Sequence, residues 1–291
     1  MSVARLVGTR WHLGPPRPVG DIATLFGRLC LEAEGAPVAL GADLPIGLPR
    51  AYAAQRPERD FRDFLAKARA WPDFWRVCVS LDELALERPF YPARGIKGMT
   101  RAAHAAALNL GGPAGLSRAC DRPTAERPAG APLFWTLGAN QTGKAAITAW
   151  RDMLLPALES IQIWPFDGPF LSLLAPETVA IAETYPAEAM RHLGIPTKGS
   201  KRRQSDRVAV AIPLLDALSR LNVTPDTAAT AAIQDGFGPD AAGEDRFDCV
   251  LGLLCAINVL NGNRPDTAPA DPWLATWEGW VLGQTALPVW E

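Results

Sequence analysis

Two apolar segments of this chain each run into a carboxylate and then a proline turn. One is Val38-Ala-Leu-Gly-Ala-Asp43-Leu-Pro-Ile-Gly-Leu-Pro49; the other is Thr178-Val-Ala-Ile-Ala-Glu183-Thr-Tyr-Pro186. A short, nearly all-apolar run reads as a strand covered on both faces. A carboxylate at the end of such a strand is costly to bury unless it is paired, hydrogen-bonded or bound to a cation. A third acidic cluster, Glu244-Asp245-Arg-Phe-Asp248, opens a long apolar helix. Acids converging at strand ends are the ligand set of a divalent-metal phosphodiester enzyme.

The segments around these acids predict an α/β order. Residues 3–13 read as two short strands. An amphipathic helix from Asp21 to about Glu34 follows, with Ile22, Leu25, Phe26 and Leu29 on one face. Residues 50–160 are expected as a mostly helical insertion, with helices at Arg59–Leu65, Thr100–Leu108 and Lys144–Leu158 and a Gly- and Pro-rich loop at 111–132. Strands at Ile161–Trp164 and 178–183 return to the core. Helices are expected at Pro186–Leu193, at Lys201–Leu221 with a bend at Pro213, and at Glu244–Leu260. Trp273, Trp277 and Trp280 are spaced as one helical face. The division read from the chain is therefore 1–49, 50–160 and 161–291.

A net charge of −2 gives no global attraction to polyanions, so any phosphate site must be a local basic patch. The five cysteines lack CxxC spacing, which argues against a zinc site or a disulfide framework and makes a reducing cytoplasm the expected compartment. His12, His104 and His192 do not pair at metal-ligand spacing. No signal peptide and no apolar stretch of about 18 residues is present, so no membrane association is expected.

In open α/β sheets ligands collect at the carboxyl ends of strands. Asp43 and Glu183 stand at such ends, and Asp245 and Asp248 are three apart at a helix start. The plainer reading has Asp43 and Glu183 stabilising turns and the acids of the helix start opposing its dipole. The run Lys198-Gly-Ser-Lys201-Arg202-Arg203-Gln-Ser-Asp-Arg207 suits a phosphate backbone, or is a solvated surface turn. Gly138-Ala-Asn-Gln-Thr-Gly143-Lys144-Ala145 is one residue short of a nucleotide-binding phosphate loop, with Ala145 where a Mg²⁺-holding hydroxyl is needed. The plainer reading is a glycine-containing loop that starts a helix; a modified reading puts Gln141 and Lys144 beside the acidic site as phosphate contacts. The tryptophan stripe reads as packing before base stacking. No GxSxG elbow supports Ser-His-Asp chemistry.

Five pieces of this chain, in this order, carry a family likeness: Asp43-Leu-Pro-Ile-Gly-Leu-Pro49, Trp164-Pro-Phe-Asp-Gly168, Glu183-Thr-Tyr-Pro-Ala-Glu188, Phe247-Asp-Cys-Val-Leu-Gly252 and Glu278-Gly-Trp-Val-Leu-Gly283. The chain resembles the bacterial and archaeal proteins of domain of unknown function 429, a family of predicted nucleases with an RNase H-like fold. The resemblance implies a mixed sheet flanked by helices, with acids on strand ends and on a late helix, as in Holliday-junction resolvase-like nucleases. It assigns Asp43, Glu183 and Asp248 to the acidic positions. The sequence departs from the pattern in one respect: no acid precedes Asp21, where RNase H-like enzymes carry an aspartate on the first strand. The reading therefore expects a coding start upstream of Met1; an in-frame stop just before Met1 would overturn it.

The functional expectation is a metal-dependent nuclease. Asp43, Glu183 and Asp248, with Asp245 as a further ligand, would hold Mg²⁺ or Mn²⁺. Lys144, Lys198, Lys201, Arg202 and Arg203 would engage nucleic acid. The alternatives are a catalytically inactive RNase H-like binding scaffold and a nucleotide-dependent phosphotransferase built on Gly138–Lys144.

Overall fold

The computed structural model describes residues 1–137 and 141–289. In chain order its regular elements are β1 (Ala4–Val7), β2 (Arg10–Leu13), α1 (Leu25–Ala33), β3 (Val38–Ala42), α2 (Arg50–Ala53), α3 (Phe61–Ala68), α4 (Arg101–Ala107), α5 (Thr142–Thr148), α6 (Leu155–Ala157), β4 (Ile161–Ile163), β5 (Val179–Glu183), α7 (Pro186–His192), α8 (Gln204–Ala209), α9 (Ala211–Arg220), β6 (Val223–Pro225), α10 (Thr227–Gln234) and α11 (Ala242–Leu260). The protein is α/β, with two small sheets. One has the order β1-β2-β6, with β1 and β2 antiparallel and β2 and β6 parallel. The other has the order β3-β5-β4, with β4 and β5 parallel. Among the described residues no helix is long and apolar enough to cross a membrane.

Local chemistry explains several boundaries. Asp60 starts α3 by accepting the Asp63 N–H at 2.8 Å, and Thr100 starts α4 by accepting that of Ala103 at 3.1 Å. The expected helix 201–221 divides earlier than Pro213. A proline ring conflicts with the carbonyl four residues back. That residue is Ala209, where α8 ends, and Pro213 stands in the first turn of α9. The tryptophan stripe does not follow one helical face. Its π-helical turn, Leu274–Glu278, stops at Gly279 (φ +68°), so Trp280 lies beyond the helix. Trp277 and Trp280 are nevertheless buried.

The chain groups into two compact units whose limits differ from the divisions expected at 49/50 and 160/161. The first comprises 1–21, 40–43 and 184–266; the second comprises 22–39, 44–183 and 267–291. In the first, α7, α9, α10 and α11 bury Met190, Leu214, Leu218, Ile233, Phe247, Leu251 and Leu254 with Leu13 and Val223 from the sheet. α11 reads as apolar almost all round because so much of its surface is covered. The second unit is stacked with aromatics. Tyr52, Phe61, Phe64, Phe74, Phe90, Phe134 and Trp150 meet edge-on or tilted at 4.7–6.4 Å between centroids, with Phe61 and Phe64 stacked at 6.5 Å.

Candidate functional site

The sequence-predicted acids fall into different units, and each has its own environment. Glu183 ends β5 in the second unit and is fully buried. Both of its oxygens are occupied. Arg118 donates from Nη1 to Oε2 at 2.6 Å and from Nη2 to Oε1 at 2.8 Å, and the Ile46 N–H donates to Oε2 at 2.8 Å. The same guanidinium donates from Nε and Nη2 to the two oxygens of Asp121, each at 2.9 Å. Arg118 and Asp121 have no exposed surface. Burial pushes the Glu183 carboxyl up, against the opposing pull of Arg118.

Among the described residues, one group of three side chains has the spacing to hold a metal: Cys120, Asp121 and Glu183, with ligand atoms within 4.8 Å of one another. Its chemistry does not fit a catalytic ion. The Arg118 guanidinium already lies between the carboxylates as their cation. Burial pushes the Cys120 thiol well above its ordinary value, and a protonated thiol is a poor ligand. The group is closed to substrate, so Glu183 serves the fold, as a paired charge at a strand end. Arg118 and Asp121 carry no motif in the sequence; only folding reveals that they face Glu183.

Asp43 and Asp248 belong to the first unit. Asp43 is exposed, one residue past β3. In β3, a Cβ on Gly41 would lie 2.8 Å from Thr184 Cγ2 and 3.2 Å from the Gly252 carbonyl oxygen on α11. A Cβ on Gly252 would meet Thr184 Oγ1 at 3.1 Å. The two glycines thus let strand and helix approach closely around Thr184. The Thr184 hydroxyl is buried and has no hydrogen-bond partner among the described residues. Asp248 lies one turn before Gly252 on α11, and residues four apart share a helix face. Lys201 Nζ donates to both Asp248 oxygens at 2.7 Å. Burial nonetheless pushes the Asp248 carboxyl above its usual value, with Lys201 pulling the other way. A perturbed acid beside a cleft is a functional-site signal. Asp245, three residues earlier on α11, is exposed.

Lys201 connects Asp248 to an open cavity of about 300 Å³ in the same unit. Lys198, Lys201, Arg202 and Arg207 supply its positive charge; Glu244 and Asp206 also line it. Glu244 lies 3.7 Å from Arg202, and Asp206 accepts the Ser200 N–H at 2.8 Å. Arg203 is exposed beside the cavity, 3.9 Å from Asp206. Lys144 is exposed on α5 in the second unit, whereas this basic run belongs to the first. Gly138 to Asn140 of the phosphate-loop-like stretch lie outside the described residues. The Gly143 N–H donates to the Trp135 carbonyl at 2.9 Å, and a Cβ there would strike Thr136 Cγ2 at 2.8 Å. Close packing at the start of α5 accounts for that glycine.

Oxygen donors such as Asp43, Asp248 and the Thr184 hydroxyl suit a hard divalent cation. Asp248 already draws a cation, the Lys201 ammonium. These are the donor types of a Mg²⁺ or Mn²⁺ ligand set, and Glu183, in the second unit, is not among them. No family model, no curated protein and no solved structure matches this chain.

Proposed function

We propose that this chain is a metal-dependent phosphodiesterase of the nuclease type, acting on nucleic acid through the acids of its first unit, and that its α/β architecture is of the RNase H-like kind. The observation that carries the reading is the crossing of Gly41 over Gly252. Asp43 follows Gly41 by two residues, in the bend just past the end of β3. Asp248 precedes Gly252 by one helical turn. The two acids thus stand on the two segments that meet at one strand–helix contact, and Lys201 joins Asp248 to the cationic cavity.

In this mechanism Asp43 and Asp248 would hold the ion, which supplies an activated hydroxide when bound. Lys198 and Arg202 bind and orient the phosphate. Lys201 neutralises Asp248 while no substrate is present and is positioned to exchange that carboxylate for a phosphate oxygen. The half-buried setting of Asp248 limits competition from water and strengthens each of these charge interactions.

The experiment is Mg²⁺- and Mn²⁺-dependent cleavage of single-stranded, duplex and branched DNA and RNA by the chain and by Asp43→Asn. Cleavage lost in the variant is the expected result. Full activity in Asp43→Asn removes that residue from the mechanism. A second reading, an inactive binding scaffold, is favoured by one observation: the carboxylates of Glu183 and Asp248 are already neutralised by Arg118 and Lys201. Tight binding without divalent metal, and no cleavage with it, selects that reading.

A further inference from the structure

Arg207 is 2% exposed, yet its hydrogen-bond partners among the described residues are all neutral carbonyls. Its Nε donates to the Gly236 carbonyl at 2.7 Å, its Nη2 to that of Gly238 at 2.7 Å, and its Nη1 to that of Lys201. A guanidinium has five N–H groups, and three carbonyl bonds leave two of them unspent. Among the described residues no carboxylate lies within ion-pair distance of it. A buried charge without a counter-ion is unfavourable. The surroundings are nonetheless shaped to hold it there. Gly236 and Gly238 have positive φ of 63° and 86°, and a side chain on Gly243, at the start of α11, would run into Nη2. The sequence around this residue maintains a fixed positive charge at the wall of the cavity.

The rest of that cavity has two faces. Met190, Val210 and Phe247 give it an apolar floor; Lys198 and Arg202 stand exposed on its lining, where Asp206, taken by the Ser200 N–H, and Glu244, 3.7 Å from Arg202, offset part of the positive charge and leave it in excess. Its volume of about 300 Å³ is at the small end of ligand pockets, enough for a single compact ligand and too small for a duplex. An apolar floor accepts a flat ring, and a buried guanidinium with two rim cations favours a dianion over the single charge of an internal diester.

We infer that this cavity takes a nucleoside carrying a terminal phosphate, with Arg207 setting the charge of the pocket and Lys198 and Arg202 closing on the phosphate. The choice of a nucleotide over other phosphorylated molecules rests on the nuclease reading; the preference for a terminal phosphate does not. Two sources share this chemistry, a phosphorylated strand end and a free mononucleotide.

Fluorescence anisotropy with a labelled single strand in EDTA, where no metal-dependent cleavage occurs, tests it. A strand ending in phosphate should bind about tenfold more tightly than the same strand ending in hydroxyl. In the double variant Lys198→Ala/Arg202→Ala, both residues being exposed, the phosphate-ended strand should lose about tenfold more affinity than the hydroxyl-ended strand, so that the difference between the two ends vanishes. Arg151→Ala, which removes a surface cation from the second unit, should retain it. Competition by adenosine monophosphate but not by adenosine identifies the free nucleotide as a further source and supports the proposal. Equal affinity for the two ends, or a double variant that weakens both equally, overturns it. Cleavage of the same strands with Mg²⁺, in wild type and Asp43→Asn, reads the nuclease assignment separately. A terminal-phosphate preference without cleavage leaves the pocket standing and removes the nuclease reading.

Discussion

The buried charges of this protein have different pH behaviour, and His104 isolates one of them. Its Nε2 contacts the Pro89 carbonyl oxygen at 2.8 Å, and burial pushes its pKa from 6.5 down to about 4. A lowered folded pKa means that the unfolded chain takes up the proton first. The stabilising contribution is present above pH 6.5 and is lost as pH falls toward 4. The drop corresponds to about 3 kcal/mol at most. Urea midpoints measured across pH 7 to 4 should fall, and His104→Phe should flatten that part of the curve. An unchanged slope would place the acid sensitivity elsewhere, with His192, also lowered to about 4 by burial and by Arg264, as the next residue to replace. Arg118 gives a larger effect at any pH. Arg118→Met leaves Glu183 and Asp121 buried without their cation, a loss of about 3–5 kcal/mol. Thermal unfolding of the variant should show a fall of many degrees. A variant of wild-type stability would mean that the carboxylates find other compensation and would reopen them as metal ligands.

The elements depend on close contacts at small residues. Gly41 on β3 meets Thr184 and the Gly252 carbonyl, so Gly41→Ala overpacks the strand–helix contact and should cost about 1–3 kcal/mol. Chemical denaturation reads this cost. Under the nuclease reading the same variant displaces Asp43 relative to α11, so activity should fall by more than stability explains; parallel losses would assign the glycine to packing alone. Within α11, Leu254→Ala removes a side chain with no exposed surface and should cost about 2–5 kcal/mol. Both effects belong to elements whose existence was readable from periodicity, whereas the glycine contact itself was not.

Across the whole molecule, a net charge of −2 conceals a local concentration of Lys198, Lys201, Arg202 and Arg207. Binding of a single strand through about four such cations should weaken with salt, with a slope of log K against log salt near −3. A slope near zero would show that these cations do not meet phosphate. Lys144 does not line this cavity, so Lys144→Ala should change the slope less than Lys198→Ala.

The sequence by itself determined the α/β class, most of the helices and strands, and the position of Asp43 and Glu183 at strand ends and of Asp248 in the long apolar helix. These features depend on neighbours a few residues apart, through alternation, helical periodicity, caps and proline stops. It also exposed the basic run from Lys198 to Arg207. Only the tertiary structure decided what each charge faces. Glu183 meets Arg118 across 65 positions of chain, and Asp248 meets Lys201 across 47. Arg207 meets carbonyls rather than an acid. Carboxylates attached to apolar elements look alike in sequence because desolvation and counter-charge come from residues distant along the chain. Folding separated them into Glu183, neutralised in a closed interior, and Asp248, held at the edge of an open cationic cavity.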